Sequence, residues 1–424
     1  MLYPIESKHE EQNNHFPSCG SWLFFDNNVK MIPEYSHAND FYTQVLESGP
    51  PSAALGFHSP VVYRAKTQTV SCRLDEANPQ SPHKTISALV PCTDDNKHVS
   101  QVAYHLTGKE LNSSLCGTIV LANVLEPCCP MDGVDQQIVL YRRTNEQVAI
   151  KVDRRKLIRD LHNSPNGHAH PENPWKEVSC IQLLHKDDSH PYVLKLVTAF
   201  VDEECLYEVM PFYAGGSLHQ LLSKHPQGLD EDVAGTYFRQ IILAIDYIHS
   251  KGVCHRDIST QNILLNENHS KPVLIDFGMA LRVPYSYPDD FLTEDVTDVS
   301  MGTVRRMIHS QSHCGKLRFM APEMYRAEDY DGLTIDIWST GCVLFAMLTG
   351  HSPYEKPDLM DSGYHDLLDH KFYWDPKSVN PLFSWGRSTI SDEAVDLLQH
   401  MFKPNPKDRL TLGQIMAHPW LTEK

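Results

Sequence analysis

Strands come first and helices later along this 424-residue chain. Short segments rich in β-branched and apolar residues begin at Gly117, and turn residues separate them, which predicts strands. These segments are 118–125, 137–141 and 147–151 and, beyond a predicted helix, 192–200 and 206–210. The first three predict an antiparallel meander, because each follows the last after a short turn.

A long amphipathic helix dominates the next part of the chain. From Val233 to Ile248, apolar residues recur every three or four positions, and Gly252 ends the pattern. Strands followed by helices predict an α+β fold with two lobes. We expect a small antiparallel-sheet lobe with one helix at 116–211 and a larger helical lobe at 214–424.

The first 115 residues show no lasting hydrophobic period. Proline and glycine punctuate this part of the chain, as at Gly49, Pro50 and Pro51, and its apolar runs are short. We therefore expect an irregular and partly disordered N-terminal extension at 1–115.

Composition narrows the partners and the compartment. The net charge is -17 and the basic residues are dispersed, so we expect no nucleic-acid partner. No apolar run approaches the roughly 18 residues of a membrane span, so we expect none. The absence of a secretion-signal pattern and of C-x-x-C among the 11 cysteines favours a cytoplasmic protein without disulfides. The sequence does not indicate an oligomeric state.

Four short motifs occur in a telling order. They are VAIK at 148–151, HRDISTQN at 255–262, DFG at 276–278 and APE at 321–323. The set resembles the signature of the eukaryotic protein kinases, which contains these elements in this order. One triplet alone would be a weak signal, whereas four in order are specific.

The resemblance covers about 117–424 and implies a two-lobed protein-kinase fold with ATP and Mg²⁺ as cofactors. The ending at His418, Pro419 and Trp420 is most similar to the calcium/calmodulin-dependent kinase group of serine/threonine kinases.

Phosphoryl transfer needs a cation on the phosphates, acids for magnesium and a carboxylate at the incoming hydroxyl group. The resemblance assigns Lys151 to the α and β phosphates, Asp257 to the substrate hydroxyl, and Asn262 and Asp276 to magnesium.

A carboxylate on the helix that follows Lys151 should hold its ammonium group. Glu177 is the first choice, because three apolar residues follow it at helical spacing, and Glu172 is the alternative.

The resemblance also assigns the adenosine site. Met210 is the gatekeeper, and Pro211 keeps the carbonyl group that the adenine amino group needs although it lacks an N–H. The residues implied around the adenosine and the first phosphates are Val139, Ala149, Lys151, Met210, Pro211, Tyr213, Ser217 and Leu264.

The chain departs from the family in three places. The expected phosphate loop, 126–138, has one glycine where the family has G-x-G-x-x-G, and close approach to phosphates is what those glycines permit. The catalytic-loop lysine is replaced by Ser259, and the activation-segment threonine by Lys316. In the family these two side chains meet at the catalytic aspartate, so we predict that Lys316 supplies the missing cation.

The sequence therefore predicts a protein kinase that transfers the ATP γ-phosphate to serine and threonine hydroxyls of protein substrates, with a divergent glycine loop. The alternative is a pseudokinase that acts as a signalling scaffold. Retention of Lys151, Asp257, Asn262 and Asp276 favours the enzyme, because relaxed selection would have eroded at least one of them.

Overall fold

The computed structural model describes two lobes, one built on a β-sheet and one mainly helical. The residues described are 60–64, 66–70, 83–91, 99–128, 140–162, 172–283, 285–286, 296–298, 303–305, 307–308, 313–368 and 390–422.

An eight-stranded sheet forms the small lobe, in the order β1-β7-β8-β6-β5-β4-β3-β2. Its strands are β1 Tyr63–Arg64, β2 Lys66–Val70, β3 His83–Pro91, β4 Val99–Ser113, β5 Gly117–Cys128, β6 Leu140–Arg154, β7 Thr198–Val201 and β8 Cys205–Pro211. All neighbouring pairs are antiparallel except β1 and β7, which are parallel.

The two ends of the sheet lie close together. Only one residue separates β1 from β2, yet the two strands lie at opposite ends of the strand order, and β1 also contacts β3. A sheet curved in this way encloses a side-chain-filled interior, as a barrel does, and we call it the barrel. One buried cluster fills it, namely Ile86, Tyr104, Ala122, Val148, Ile150, Phe200, Tyr207 and Val209.

For the described residues between 60 and 115, this barrel corrects the expectation of an irregular extension at 1–115, whereas residues 1–59 lie outside the described residues. Strands β1 to β4 lie within that range and join the sheet, so the predicted boundary at 116 falls inside it. The pattern was hard to recognise because part of β4 is polar on both faces, with Thr107 to Glu110 all exposed.

Two predicted strands are one strand in the structure. The described part of 137–141 continues through 147–151 as β6, and only the end of 192–200 is a strand, β7. The small lobe also carries two helices, α1 Arg155–His162 and α2 Pro174–Leu184, where one was expected.

The larger lobe is mainly helical, as predicted. Its helices are α3 Leu218–Leu222, α4 Glu231–Ser250, α5 Pro322–Tyr325, α6 Gly332–Thr349, α7 Ser362–Leu368, α8 Asp392–Met401, α9 Leu412–Met416 and α10 Pro419–Thr422. Short strands connect them, namely β9 Val253–Cys254, β10 Ile263–Leu265, β11 Pro272–Leu274, β12 Leu281–Arg282, β13 Tyr285–Ser286, β14 Val296–Asp298 and β15 Thr303–Arg305.

The helix predicted from Val233 to Ile248 is α4. Its apolar face is buried as expected except at Val233, which lies in the first turn and is 44% exposed. Helix α6 has the length and hydropathy of a membrane span, but 83% of it is buried, and it packs against α4 and α8. It is the central helix of the large lobe.

Candidate active site

The predicted ion pair forms between the sheet and helix α2. Lys151, on β6, is buried, and its Nζ lies 2.6 Å from Oε2 of Glu177. The other carboxylate oxygen of Glu177 accepts a hydrogen bond from the N–H of Phe277 at 3.3 Å. Glu177, the first-choice partner, thus links β6, α2 and the DFG segment.

Two further buried acids surround Lys151, and the sequence analysis did not predict them. Asp153 lies two residues along β6, with Oδ2 3.8 Å from the ammonium nitrogen, and Glu208 lies opposite Lys151 on β8. Both are fully buried, and neither carboxylate oxygen of Glu208 has a hydrogen-bond partner within the described part of the chain. The position of Glu208, a charged residue within the otherwise apolar strand β8, could have indicated this buried acid from the sequence.

This crowding of acids perturbs proton binding at the ion pair. Burial raises the pKa of Glu177 to about 7, against the opposing effect of Lys151 and with a contribution from Asp276. Burial alone would lower the pKa of Lys151, but its carboxylate neighbours, Glu177 first, hold that pKa well above the usual value. Burial also raises the pKa of Glu208 well above its usual value.

Activity is therefore expected to fall as the pH drops through about 7, because protonated Glu177 no longer pairs with Lys151. Stability changes in the opposite sense: the raised pKa means that ionising Glu177 costs stability as the pH rises from 4.5 to about 7.

Asp153→Asn removes one of the carboxylates that raise the pKa of Glu177, so the acidic limb of kcat/KM for ATP should move to lower pH. Asp160→Asn, on the exposed face of α1, should not move it. Superimposable profiles for Asp153→Asn and the unaltered protein would contradict this assignment.

Residues 129–138 of the expected phosphate loop lie outside the described residues, but the flanking residues Cys128 and Leu140 pair at the end of β5 and β6 that is remote from Lys151. Segment 126–138 leads into Leu140, which precedes Lys151 by 11 residues on the same strand, roughly 36 Å of extended chain. The connection beside Lys151 is the turn from β4 to β5, where Ser114 Oγ donates to Asp153 Oδ1 at 2.6 Å. Gly117 is required there, because a Cβ would clash with the Val152 carbonyl oxygen.

One buried acid on α6 holds the catalytic loop. The carboxylate of Asp336 accepts the backbone N–H groups of His255 at 2.7 Å and Arg256 at 2.9 Å. It also lies 2.9 Å from Nε2 of His249 on α4. These contacts anchor the catalytic loop to α6, and the His255 ring packs against Phe277 at 4.9 Å between centroids.

A second anchor holds the APE segment. The two terminal guanidinium nitrogens of Arg409 donate to the carboxylate of Glu323, at 2.6 and 2.7 Å, and both residues are buried. This bidentate pair fixes the base of the activation segment.

Lys316 reaches the catalytic aspartate from the activation segment. Its Nζ lies 2.6 Å from Oδ2 of Asp257 and 3.4 Å from Oδ1 of Asn262, and its backbone N–H donates to Oδ1 of Asp257 at 3.0 Å. Ser259, where the family has its lysine, is fully buried, and its hydroxyl has no partner among the described residues. The cation thus approaches Asp257 from a different segment of the chain.

Asp257 is buried in this cluster. Burial raises the pKa of its carboxyl group, whereas the neighbouring Lys316 opposes that rise. Asn262 Nδ2 donates to the backbone carbonyl and to Oδ2 of Asp257, both at 2.8 Å. A carboxylate held by these donors is oriented for a hydroxyl group that approaches from the cleft.

The two expected magnesium ligands fit a magnesium ion by their chemistry. The Asn262 amide nitrogen is committed to Asp257, which leaves its carbonyl oxygen for a cation, and Asp276 offers a carboxylate. The backbone N–H of Ile275 donates to the backbone carbonyl oxygen of Asn262 at 3.0 Å, so the segments that carry Asn262 and Asp276 are adjacent. A Cβ at Gly278 would lie 3.0 Å from Cγ of Glu172 and 3.4 Å from Oδ1 of Asp276, so glycine relieves crowding between Glu172 and this segment.

The expected adenosine contacts lie at the junction of the lobes. Ala149 pairs with Met210 across β6 and β8, and Pro211 ends β8 before Tyr213. These four residues line the edge where β8 leads into the large lobe.

Ser217 and Leu264 face each other across the same junction through a β-bridge. Ser217 also has a role that the sequence analysis missed: its Oγ accepts the N–H of Gln220 and caps α3. Val139 lies outside the described residues.

Comparison with known proteins gives the same family throughout. Residues 137–421 match the family described as protein kinase domain. The chain is similar to the SNF-related serine/threonine-protein kinase of Homo sapiens, with 31% identity over 279 residues, 66% of this chain and 30% of that protein. It is also 30% identical over 279 residues to CBL-interacting protein kinase 9 of Oryza sativa subsp. japonica, 66% of this chain and 51% of that protein.

A third relative is CBL-interacting serine/threonine-protein kinase 9 of Arabidopsis thaliana, 29% identical over 278 residues, 65% of this chain and 52% of that protein. The chain therefore aligns with between about a third and a half of the length of these relatives.

Proposed function

Since this chain belongs to the protein kinase family, we propose that it transfers the γ-phosphate of ATP to serine and threonine hydroxyl groups of protein substrates. One observation carries the proposal. Asp257, the expected acceptor of the substrate hydroxyl proton, lies in contact with a cation, Lys316, and with a magnesium-type ligand, Asn262. In-line phosphoryl transfer needs these three kinds of group at one point.

Each residue of the site has a distinct role in the proposed reaction. Lys151, oriented by Glu177, would bind the α and β phosphates, and Lys316 would neutralise charge that develops on the transferred group. Asp257 would orient the hydroxyl and take up its proton. Magnesium, held by Asn262 and Asp276, would supply charge neutralisation on the phosphate oxygens.

An assay with labelled ATP and a generic protein substrate tests the proposal. Asp257→Asn keeps the size of the side chain and removes its basicity, so we expect kcat to fall by about 10²-fold or more. Equal incorporation of label by the variant and by the unaltered protein would refute it.

A pseudokinase scaffold is the second candidate. Three buried carboxylates, Asp153, Glu177 and Glu208, surround a single lysine, which disfavours a second set of negative charges on a nucleotide. This candidate predicts no transfer from ATP in the assay above and no rise in melting temperature with magnesium-ATP. A kinase should transfer phosphate and should melt at a higher temperature with magnesium-ATP.

A cavity of about 690 Å³ next to the catalytic loop is lined by Gln261 and Ala346, and also by the acids Glu355, Asp361 and Asp366. Glu355 pairs with Arg318, and Asp361 accepts backbone N–H groups, so neither carboxylate is free of a partner. Gln261, Ala346 and Ser217 occupy the positions where kinases that favour arginine upstream of the acceptor carry acids. An arginine would therefore gain no paired carboxylate at them. We expect no strong preference for arginine two or three residues before the acceptor on a peptide array. Dominance of such peptides would contradict the proposal.

We also propose a cytoplasmic location. The described cysteines carry no disulfides, as a reducing compartment requires, and they are Cys116, Cys180, Cys205, Cys254, Cys314 and Cys342. Microscopy of a fluorescent fusion tests this.

A further inference from the structure

Helix α2 is held on two sides by different parts of the chain. Glu177 faces the sheet and pairs with Lys151. On another side, the Gln182 side chain binds the backbone of Val61: the Val61 N–H donates to Oε1 at 2.8 Å, and Nε2 donates to the Val61 carbonyl oxygen at 2.7 Å. One amide side chain thus satisfies both backbone groups of a residue 121 positions away.

The residue after Val61 adds an apolar contact. Val62 is 5% exposed and lies in a buried cluster that also contains Val178 of α2 and Ile158 of α1. The next two residues form β1 and pair with β7. Segment 60–64 is therefore attached to the sheet by its end and to α2 by its middle.

The two attachments of α2 lie on different faces. Gln182 follows Glu177 by five residues, which corresponds to about 7.5 Å along the axis and about 140° around it. The Gln182 contacts therefore restrain α2 at a second point, on a face other than the one that Glu177 presents to Lys151. Segment 60–64 also lies outside 137–421, the part of the chain that matches the protein kinase family.

We propose that segment 60–64 is a built-in brace for α2, and that Gln182 is a positioning residue that keeps Glu177 on Lys151. This proposal rests on the proposed function for its catalytic consequence. Its structural consequence, restraint of α2, can be measured without any activity. Amide hydrogen exchange and kinase activity therefore form the two arms of the test.

The exchange arm uses the full-length chain with Gln182→Ala. Loss of two hydrogen bonds that hold the helix should speed amide exchange in 174–184 by about five- to tenfold. Gln182→Glu keeps the acceptor for the Val61 N–H and loses the donor, so its exchange should be intermediate. The matched control is Gln240→Ala on α4, which removes a glutamine hydrogen bond to Ser270 and should leave exchange in α2 unchanged. Unchanged exchange in Gln182→Ala would overturn the brace.

The activity arm compares the effect of Gln182→Ala in the unaltered protein with its effect in a Glu177→Gln variant. Gln182→Ala should lower kcat/KM for ATP by about fivefold in the unaltered protein. It should have no further effect in a Glu177→Gln background, because the brace acts through Glu177. An equal loss in both backgrounds would overturn the positioning role. If no variant and no unaltered protein transfers phosphate, the proposed function fails, while the exchange arm still decides whether the brace exists.

Discussion

A Lys316→Thr variant is expected to lose phosphoryl-transfer activity by about 10²-fold or more, the cost of removing a preorganised charge from a transition state. The Nζ of Lys316 lies 2.6 Å from the Asp257 carboxylate and 3.4 Å from the Asn262 carbonyl oxygen, at the point where the incoming hydroxyl and the γ-phosphate must meet. Steady-state measurement of kcat with ATP and a protein substrate gives the comparison.

The double variant Ser259→Lys with Lys316→Thr distinguishes a catalytic cation from a structural contact. It returns the lysine to the catalytic loop and a hydroxyl to the activation segment, so much of the lost activity should return. Lys316→Arg, which keeps the charge but changes its shape, should lie between the two. Undiminished activity in Lys316→Thr would remove Lys316 from the mechanism.

Deletion of residues 1–115, the expected extension, should prevent the remaining chain from folding. The deletion removes β1 to β4 and with them Ile86 and Tyr104 from the barrel interior. Phe200, Tyr207 and Val209 would then face water, and each fully buried aromatic side chain contributes several kcal/mol, about 3–5 by truncation to alanine. We expect insoluble protein, or soluble protein without a cooperative thermal transition.

Point variants test whether the stability of the protein depends on the barrel interior rather than on the length of the chain. Tyr104→Ala, whose residue is 3% exposed, should lower the free energy of unfolding by about 3–5 kcal/mol. Lys109→Ala, on the exposed part of the same strand, should change it by less than about 0.5 kcal/mol. A soluble deletion product with a sharp melting transition would show that β1 to β4 are dispensable.

The sequence predicted the chemistry of the site better than its packing. Motif order was enough to place Lys151, Asp257 and Asp276, and the apolar residues at helical spacing after Glu177 were enough to favour it over Glu172. The exchange of Ser259 and Lys316 was also predictable, since the two departures from the motif compensate each other in charge. Their geometry brings Lys316 to Asp257 as that reasoning required.

The buried acids and the phosphate turn could not be placed in the same way. Whether Glu208 points into the barrel or toward Lys151 depends on strand register, and a shift of one residue exchanges the two faces. The length of β6 was the deciding error, because two strands were predicted where one of 15 residues exists. That error moved the expected phosphate loop to the wrong end of the strand.

The barrel also sets the order in which this chain can fold during synthesis. β1 and β7 pair in parallel, so Tyr63 finds its partner only after Phe200 has been made. Until then β2 to β6 can form an antiparallel array with two unpaired edges, at β2 and at β6, and such edges can pair with another chain. Pairings between distant segments form late, because the intervening loop must first be closed. Yield of the full-length protein should therefore depend on the speed of translation through β7 and on chaperones that cover a growing sheet.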